Sequence, residues 1–139
     1  MARPPQPARR LARAIAAGAA ATRAWRALLA LLVVAVSCLA LTPAPPAVID
    51  FGWDKLNQVL AFSALAFSAS LSCPASRRVR LALLFWLLGF GGLIEILQLF
   101  VPGRACEWAD LFADTVGIAL GAVMAAGVIR TAFGNAPRL

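Results

Sequence analysis

The sequence predicts an all-α polytopic membrane protein with four transmembrane helices and both termini in the cytoplasm. Three observations carry that expectation. First, 62% of the 139 residues are hydrophobic and only 14% are charged, whereas a soluble domain carries about 45–50% apolar and about 25% charged residues. Too little polar surface remains to cover a water-facing globule. Second, apolar segments of similar length are separated by breaks rich in proline or arginine. Third, the arginines crowd into alternate breaks. No alternating ten-residue pattern of a membrane barrel occurs, so the backbone must pair its polar groups within helices.

The elements follow in order. Residues 1–24 form a tail rich in arginine, alanine and proline, expected to be disordered or interfacial, with residues 9–21 able to lie as a short helix on anionic lipid. The first span covers residues 25–41 and stops at Thr42-Pro43, where Pro45-Pro46 prevents continuation. The second covers 56–72 and stops before Pro74. The third covers 81–100 and stops at Pro102-Gly103. The fourth covers 111–129, and 131–139 is a short tail. Residues 25–130 thus read as one transmembrane domain, each span close to the ~20 residues that cross ~30 Å of hydrocarbon.

Orientation follows from charge. Six arginines lie before or at the start of the first span, Arg77, Arg78 and Arg80 lie between the second and third, and Arg130 and Arg138 follow the fourth. The other two connections hold only Lys55 and Arg104. Positive charge stays inside, which places both ends in the cytoplasm. A basic start before an apolar run also resembles a cleaved leader, and Ala35-Val36-Ser37-Cys38 loosely resembles a lipoprotein cleavage box. The run is long for a leader and proline crowds the cleavage region, which favours an uncleaved span. The net charge of +7 suits an anionic membrane surface rather than nucleic acid, because the arginines flank apolar runs without interleaved aromatics. Three cysteines form no framework, although Cys38 and Cys106 fall on one side and are compatible with a disulfide there. There is no histidine, so proton transfer near neutral pH falls to a carboxylate, Lys55 or a cysteine.

The polar residues gather at the other side. All six acidic residues, Asp50, Asp54, Glu95, Glu107, Asp110 and Asp114, lie there beside Lys55 and Arg104. Glu95 sits about five residues inside the third span, where a carboxylate costs several kcal/mol unless paired, protonated or wetted. Gln98 shares its face, as Gln58 shares that of Asp54. Asp114 shares a face with Asp110, Gly117 and Gly121. The two glycines make a small-xxx-small pair, which lets helices approach closely and offers a face for oligomerisation. Gly89, Gly91 and Gly92 thin the third span just below Glu95. The candidate binding set is therefore Asp54, Lys55, Gln58, Glu95, Gln98, Arg104, Asp110 and Asp114, with Glu95 and Asp110 the candidates for acid–base chemistry. The set reads either as a polar pocket open to the outside or as groups that hold the bundle together, with Glu95 pairing Arg104 or Lys55.

Taken in order over about residues 50–125, Asp54-Lys55 opening a helix, Glu95-x-x-Gln98, Pro102-Gly103-Arg104, Asp110-Leu111 and Gly117-x-x-x-Gly121 resemble the VanZ-like membrane proteins. Their pattern is roughly D-K-x-x-H, then E-x-x-Q-x-x-x-P-x-R, then D-x-x-x-N-x-x-G. Here Gln58 stands where the family usually has histidine, and Asp114 stands near its usual asparagine. The family is named for an accessory protein of glycopeptide resistance that lowers sensitivity to teicoplanin. The resemblance therefore implies a bacterial protein of the cytoplasmic membrane with a role in the cell envelope and no settled reaction. Three functions are compatible with it. In the first, the pocket binds the headgroup of a lipid-linked or amphiphilic envelope molecule or glycan, with Arg104 on phosphate or carboxylate and Glu95, Gln98 and Asp110 on hydroxyls or amides. In the second, Glu95 is a general acid or base acting on such a molecule, with Asp110 and Asp114 able to take a divalent cation. In the third, the polar residues of an accessory subunit pair with a partner's helices. No nucleophile motif, phosphate loop or metal-binding histidine pair is present, which weighs against catalysis, and no cofactor is called for. Lack of an internal repeat weighs against alternating-access transport.

Overall fold

The computed structural model describes residues 6–43, 54–102 and 108–133, with side chains from residue 18 to residue 131 except that of Asp54. Its elements are α1 (Gln6–Ala40), α2 (Asp54–Ser72), α3 (Arg77–Gln98) and α4 (Trp108–Phe133), and no strand occurs among the described residues. Three stretches are long and apolar enough to cross a membrane: Gly18–Ala40, Arg77–Gln98 and Trp108–Thr131. In α2, Lys55, Asn57, Gln58 and four serines dilute the apolar run.

Helix ends show where hydropathy alone misplaces a boundary. The α1 helix runs unbroken through the basic segment expected to be a separate tail. The α3 helix starts at Arg77 rather than at residue 81, because Ser76 caps it: its hydroxyl accepts from the Val79 N–H at 3.3 Å. Both segments are helical although charged, since a helix needs apolar residues only where it meets lipid. The carbonyls at the end of α2 accept from two arginines. Arg26 Nε donates to Ser72 at 3.3 Å, and Arg80 donates to Cys73 and Pro74, as cations near a helix C-terminus should. At the end of α1, Thr42 and Ser37 hydroxyls bond back to the carbonyls of Cys38 and Val33.

Contacts order the helices as an up-down-up-down bundle with α2 at its centre. The α2 helix touches all three others and packs most extensively on α4, while among the described residues α1 and α4 do not meet. The core is Phe62, Leu65, Ala66 and Ala69 of α2, Leu87 of α3 and Ile118 of α4. Glycine sets the α2–α4 distance. A Cβ on Gly117 would lie 2.6 Å from the Val59 carbonyl and 2.9 Å from Phe62 Cβ, and one on Gly121 would strike the Ser63 carbonyl. Ser63 Oγ donates to the Gly117 carbonyl at 3.0 Å across the same seam. The small-xxx-small pair is thus taken up inside the chain. Edge-to-face packing of Trp25 on Phe67 joins α1 to α2, and Phe62 against Phe90 joins α2 to α3.

Apolar residues also dominate the outside. Phe85, Phe100, Trp108, Phe112 and Val123 are each more than 70% exposed, and α1 buries none of its most apolar stretch. Such a surface would aggregate in water. It is the lipid-contact face of a multi-pass membrane protein.

Candidate functional site

Polar side chains enter the bundle through two helical seams. The buried residues of α3 are Leu87, Gly91, Ile94, Glu95 and Gln98. Those of α4 include Asp110, Ala113, Asp114, Gly117, Ile118, Gly121 and Ala125. Both series recur every three or four residues, the spacing of one helix face. In each series the end toward the α3–α4 connection is polar and the other end is small or apolar. Four polar groups are thereby drawn inward at one end: Glu95 is 4% exposed, Gln98 5%, Asp110 7% and Asp114 2%.

Their partners differ. Lys55 Nζ lies 2.8 Å from Asp110 Oδ1, an ion pair joining the heads of α2 and α4 whose lysine is half exposed and whose carboxylate is buried. Gln98 Nε2 donates to the Ala40 carbonyl at 3.1 Å, tying the end of α3 to that of α1. Asp114 lies against Gly91, where a Cβ would stand 2.5 Å from its Oδ2. Glu95 and Asp110 are near enough for their charges to act on Asp114. Among the described residues, Gln58 Oε1 and Asp114 Oδ1 are buried with no hydrogen-bond partner. Both are acceptors, one from α2 and one from α4. A buried acceptor left unpaired costs about 1–3 kcal/mol, so the site gains from any donor that enters it.

Most of the residues singled out in the sequence thus converge. Lys55 and Asp110 touch, and Glu95, Asp110 and Asp114 share one electrostatic neighbourhood. Gln98 is committed to α1, a role its spacing from Glu95 does not reveal. Asp50, Arg104, Glu107, Cys106 and the side chain of Asp54 lie outside the described residues, so the expected Arg104 and Asp54 contacts and the Cys38–Cys106 bridge fall there too. Cys38 itself is exposed and unbridged. Among the described residues no three Cys, Asp or Glu side chains are placed to hold a metal ion together. Sequence reasoning missed Ser63 and Phe62, which receive the glycine face of α4; with four serines in α2, nothing in the pattern singles out Ser63. It noted Gly91 as a thin point, and the structure makes that residue the seat of Asp114.

A family model described as VanZ/LLP1 matches residues 19–130, which takes in α2, α3, most of α4 and the apolar part of α1. No curated protein and no solved structure matches the chain.

Proposed function

The chain belongs to the VanZ/LLP1 family, and from that premise we propose that all four helices cross the bacterial cytoplasmic membrane and that the acidic end is an outward-facing recognition site for an amphiphilic envelope molecule. Charge supports this orientation. Arg26, Arg80, Arg77, Arg78 and Arg130 stand at one end of the bundle, whereas Glu95, Asp110 and Asp114 stand at the other, so the positive-inside rule puts both termini in the cytoplasm. The α2 helix crosses as the fourth span because three more apolar helices enclose it.

The observation that carries the recognition reading is the pair of buried acceptors without partners, Gln58 Oε1 and Asp114 Oδ1. Acceptors select ligands that bring donors: sugar hydroxyls, amide N–H groups or an ammonium. Lipid-linked cell-wall precursors and glycolipids present such donors in their headgroups. Lys55, half exposed at the rim, meets the anionic part of the headgroup. Holding such a molecule at the outer leaflet alters its availability to glycopeptides, and glycopeptide sensitivity is the cellular readout. Lys55–Asp110 and Gln98–Ala40 also brace the helices, so those four groups serve the bundle as well as the site.

The test uses the full chain in lipid nanodiscs and native mass spectrometry, with a polyprenyl-diphosphate-linked disaccharide peptide as probe and polyprenyl phosphate as control. The wild type should retain the disaccharide lipid in preference to the control. Gln58→Leu, which keeps the volume and removes the acceptor, should weaken retention by about tenfold, the equivalent of one hydrogen bond. Equal retention of the two lipids, or retention untouched in the variant, would overturn the reading.

A further inference from the structure

We propose a second lipid site at the opposite, arginine-rich end: a groove between α3 and α4 that seats one anionic phospholipid, its phosphate on Arg77 and Arg80 and one acyl chain along Leu81, Leu84 and Leu88. It lies apart from the acidic-end site and does not depend on it.

The groove is a built feature. The α3 and α4 helices meet closely at Gly91 and Asp114. Toward the arginines a cavity of about 130 Å³ opens between them. Its polar lining is Arg77, Arg80 and the buried Ser70 of α2, and its walls are Leu81 and Leu84 facing the small residues Ala122 and Ala126. A second cavity of about 180 Å³ shares Leu81 and Leu84 and continues along α3 past Phe85 and Leu88 to Ile118 of α4. Two alanines where leucines would fill the seam leave a trough running from a basic mouth along an apolar wall. The trough opens at the apolar surface of the bundle, and in a bilayer the molecule at hand to fill it is a lipid chain.

Charge selects the occupant. Arg77 and Arg78 make no ion pair among the described residues, and the acidic side chains described there all lie at the other end of the bundle. Arg80 directs Nη1 to the carbonyls of Cys73 and Pro74, which leaves Nε and Nη2 of its five-donor guanidinium for a ligand. The Ser70 hydroxyl makes no hydrogen bond to a described residue. Every polar group of the mouth can donate, and the arginines can only donate, the reverse of the acceptor-rich acidic end. Phosphate oxygens match that set, and guanidinium takes phosphate in paired hydrogen bonds. A zwitterionic choline lipid would bring its quaternary ammonium toward the same arginines, so an anionic glycerol headgroup fits better.

The experiment places the full chain in nanodiscs of equimolar phosphatidylglycerol and phosphatidylcholine and counts the lipids retained on ejection in native mass spectrometry. One phosphatidylglycerol should remain, at about a thirtyfold preference, the effect of two basic residues at a membrane surface. Arg77→Gln should reduce the preference severalfold. Arg78→Gln, with the same charge change outside the groove, should not. Ala126→Leu fills the trough without changing charge and should lower retention of both lipids. Gln58→Leu should leave this lipid in place, which separates a failure here from a failure at the acidic end. Glycerol 1-phosphate should not displace the lipid, because it lacks a chain for the groove. Equal retention of the two lipids, equal effects of Arg77→Gln and Arg78→Gln, displacement by glycerol 1-phosphate, or a dimer that covers the groove and carries no lipid would each overturn the proposal.

Discussion

Gly117→Ala tests the seam on which the rest of the bundle rests. The added methyl would meet the Val59 carbonyl at 2.6 Å and Phe62 Cβ at 2.9 Å. The first contact is with backbone, which no rotamer change can clear. Reaching ordinary contact at 3.4 Å requires α2 and α4 to part by about 0.8 Å at this point. Overpacking of this kind costs about 1–3 kcal/mol, and a backbone obstacle puts it near the upper end. Parting also stretches the 3.0 Å Ser63–Gly117 hydrogen bond, worth about 0.6 kcal/mol inside a membrane. Alanine's better helix propensity returns about 1 kcal/mol. The net loss is about 2–3 kcal/mol, or roughly 30- to 150-fold in the folding equilibrium. Steric trapping of the purified chain in bicelles reads that equilibrium without denaturant. Gly127→Ala is the control, because it lies on the same helix with nothing within 4 Å, and it should be neutral or slightly stabilising. If the two variants fall within about 0.5 kcal/mol of each other, close α2–α4 approach is not what holds the bundle, and the reasoning fails.

Four further outcomes follow from the geometry. Leu65→Ala empties a fully buried position and should cost about 2–5 kcal/mol by the same trapping assay, and Lys55→Gln, which leaves the buried Asp110 carboxylate without its cation, should cost about 1–3 kcal/mol, more than the loss of an exposed pair. Gln98→Leu removes the donor to the Ala40 carbonyl and should speed amide exchange at the end of α1 while costing about 1 kcal/mol overall; unchanged exchange there would contradict the link. Glu95→Gln keeps shape and hydrogen-bonding capacity, so under the proposed recognition role the folded level in detergent should hold while retention of the disaccharide lipid falls; a collapse in folded protein would make Glu95 a brace instead.

The sequence shows the ends of the first three helices clearly because proline and hydropathy agree about where they fall. Pro43, Pro74 and Pro102 each follow a helix end by two to four residues. Starts are less legible, since Arg77 and Arg78 continue a helix beyond the apolar zone and the signal, Ser76 as cap, is a single residue. Spacing placed Glu95 with Gln98 and Asp110 with Asp114 on common faces, and burial of all four agrees with it. Partners between helices are another matter. Nothing in the pattern of α4 says that Gly117 meets Val59 rather than a residue of α3, because a face is a property of one helix whereas a contact depends on how two are rotated and crossed. The groove between α3 and α4 is illegible for the same reason: Ala122 and Ala126 leave space only because leucines of α3 stand opposite.

The central position of α2 has a consequence for how the chain is made. Synthesis is vectorial, and the helix least suited to lipid by its own residues has its largest interface with the helix translated last. Until α4 is made, Ser63 and the Val59 carbonyl lack the glycine face that packs on them. A ribosome stalled after α3 would leave a nascent chain with a serine-bearing helix lacking its main support, a natural substrate for membrane quality control. Completion of α4 is therefore the step at which the bundle closes, and Gly117 and Gly121 are the residues that let it close.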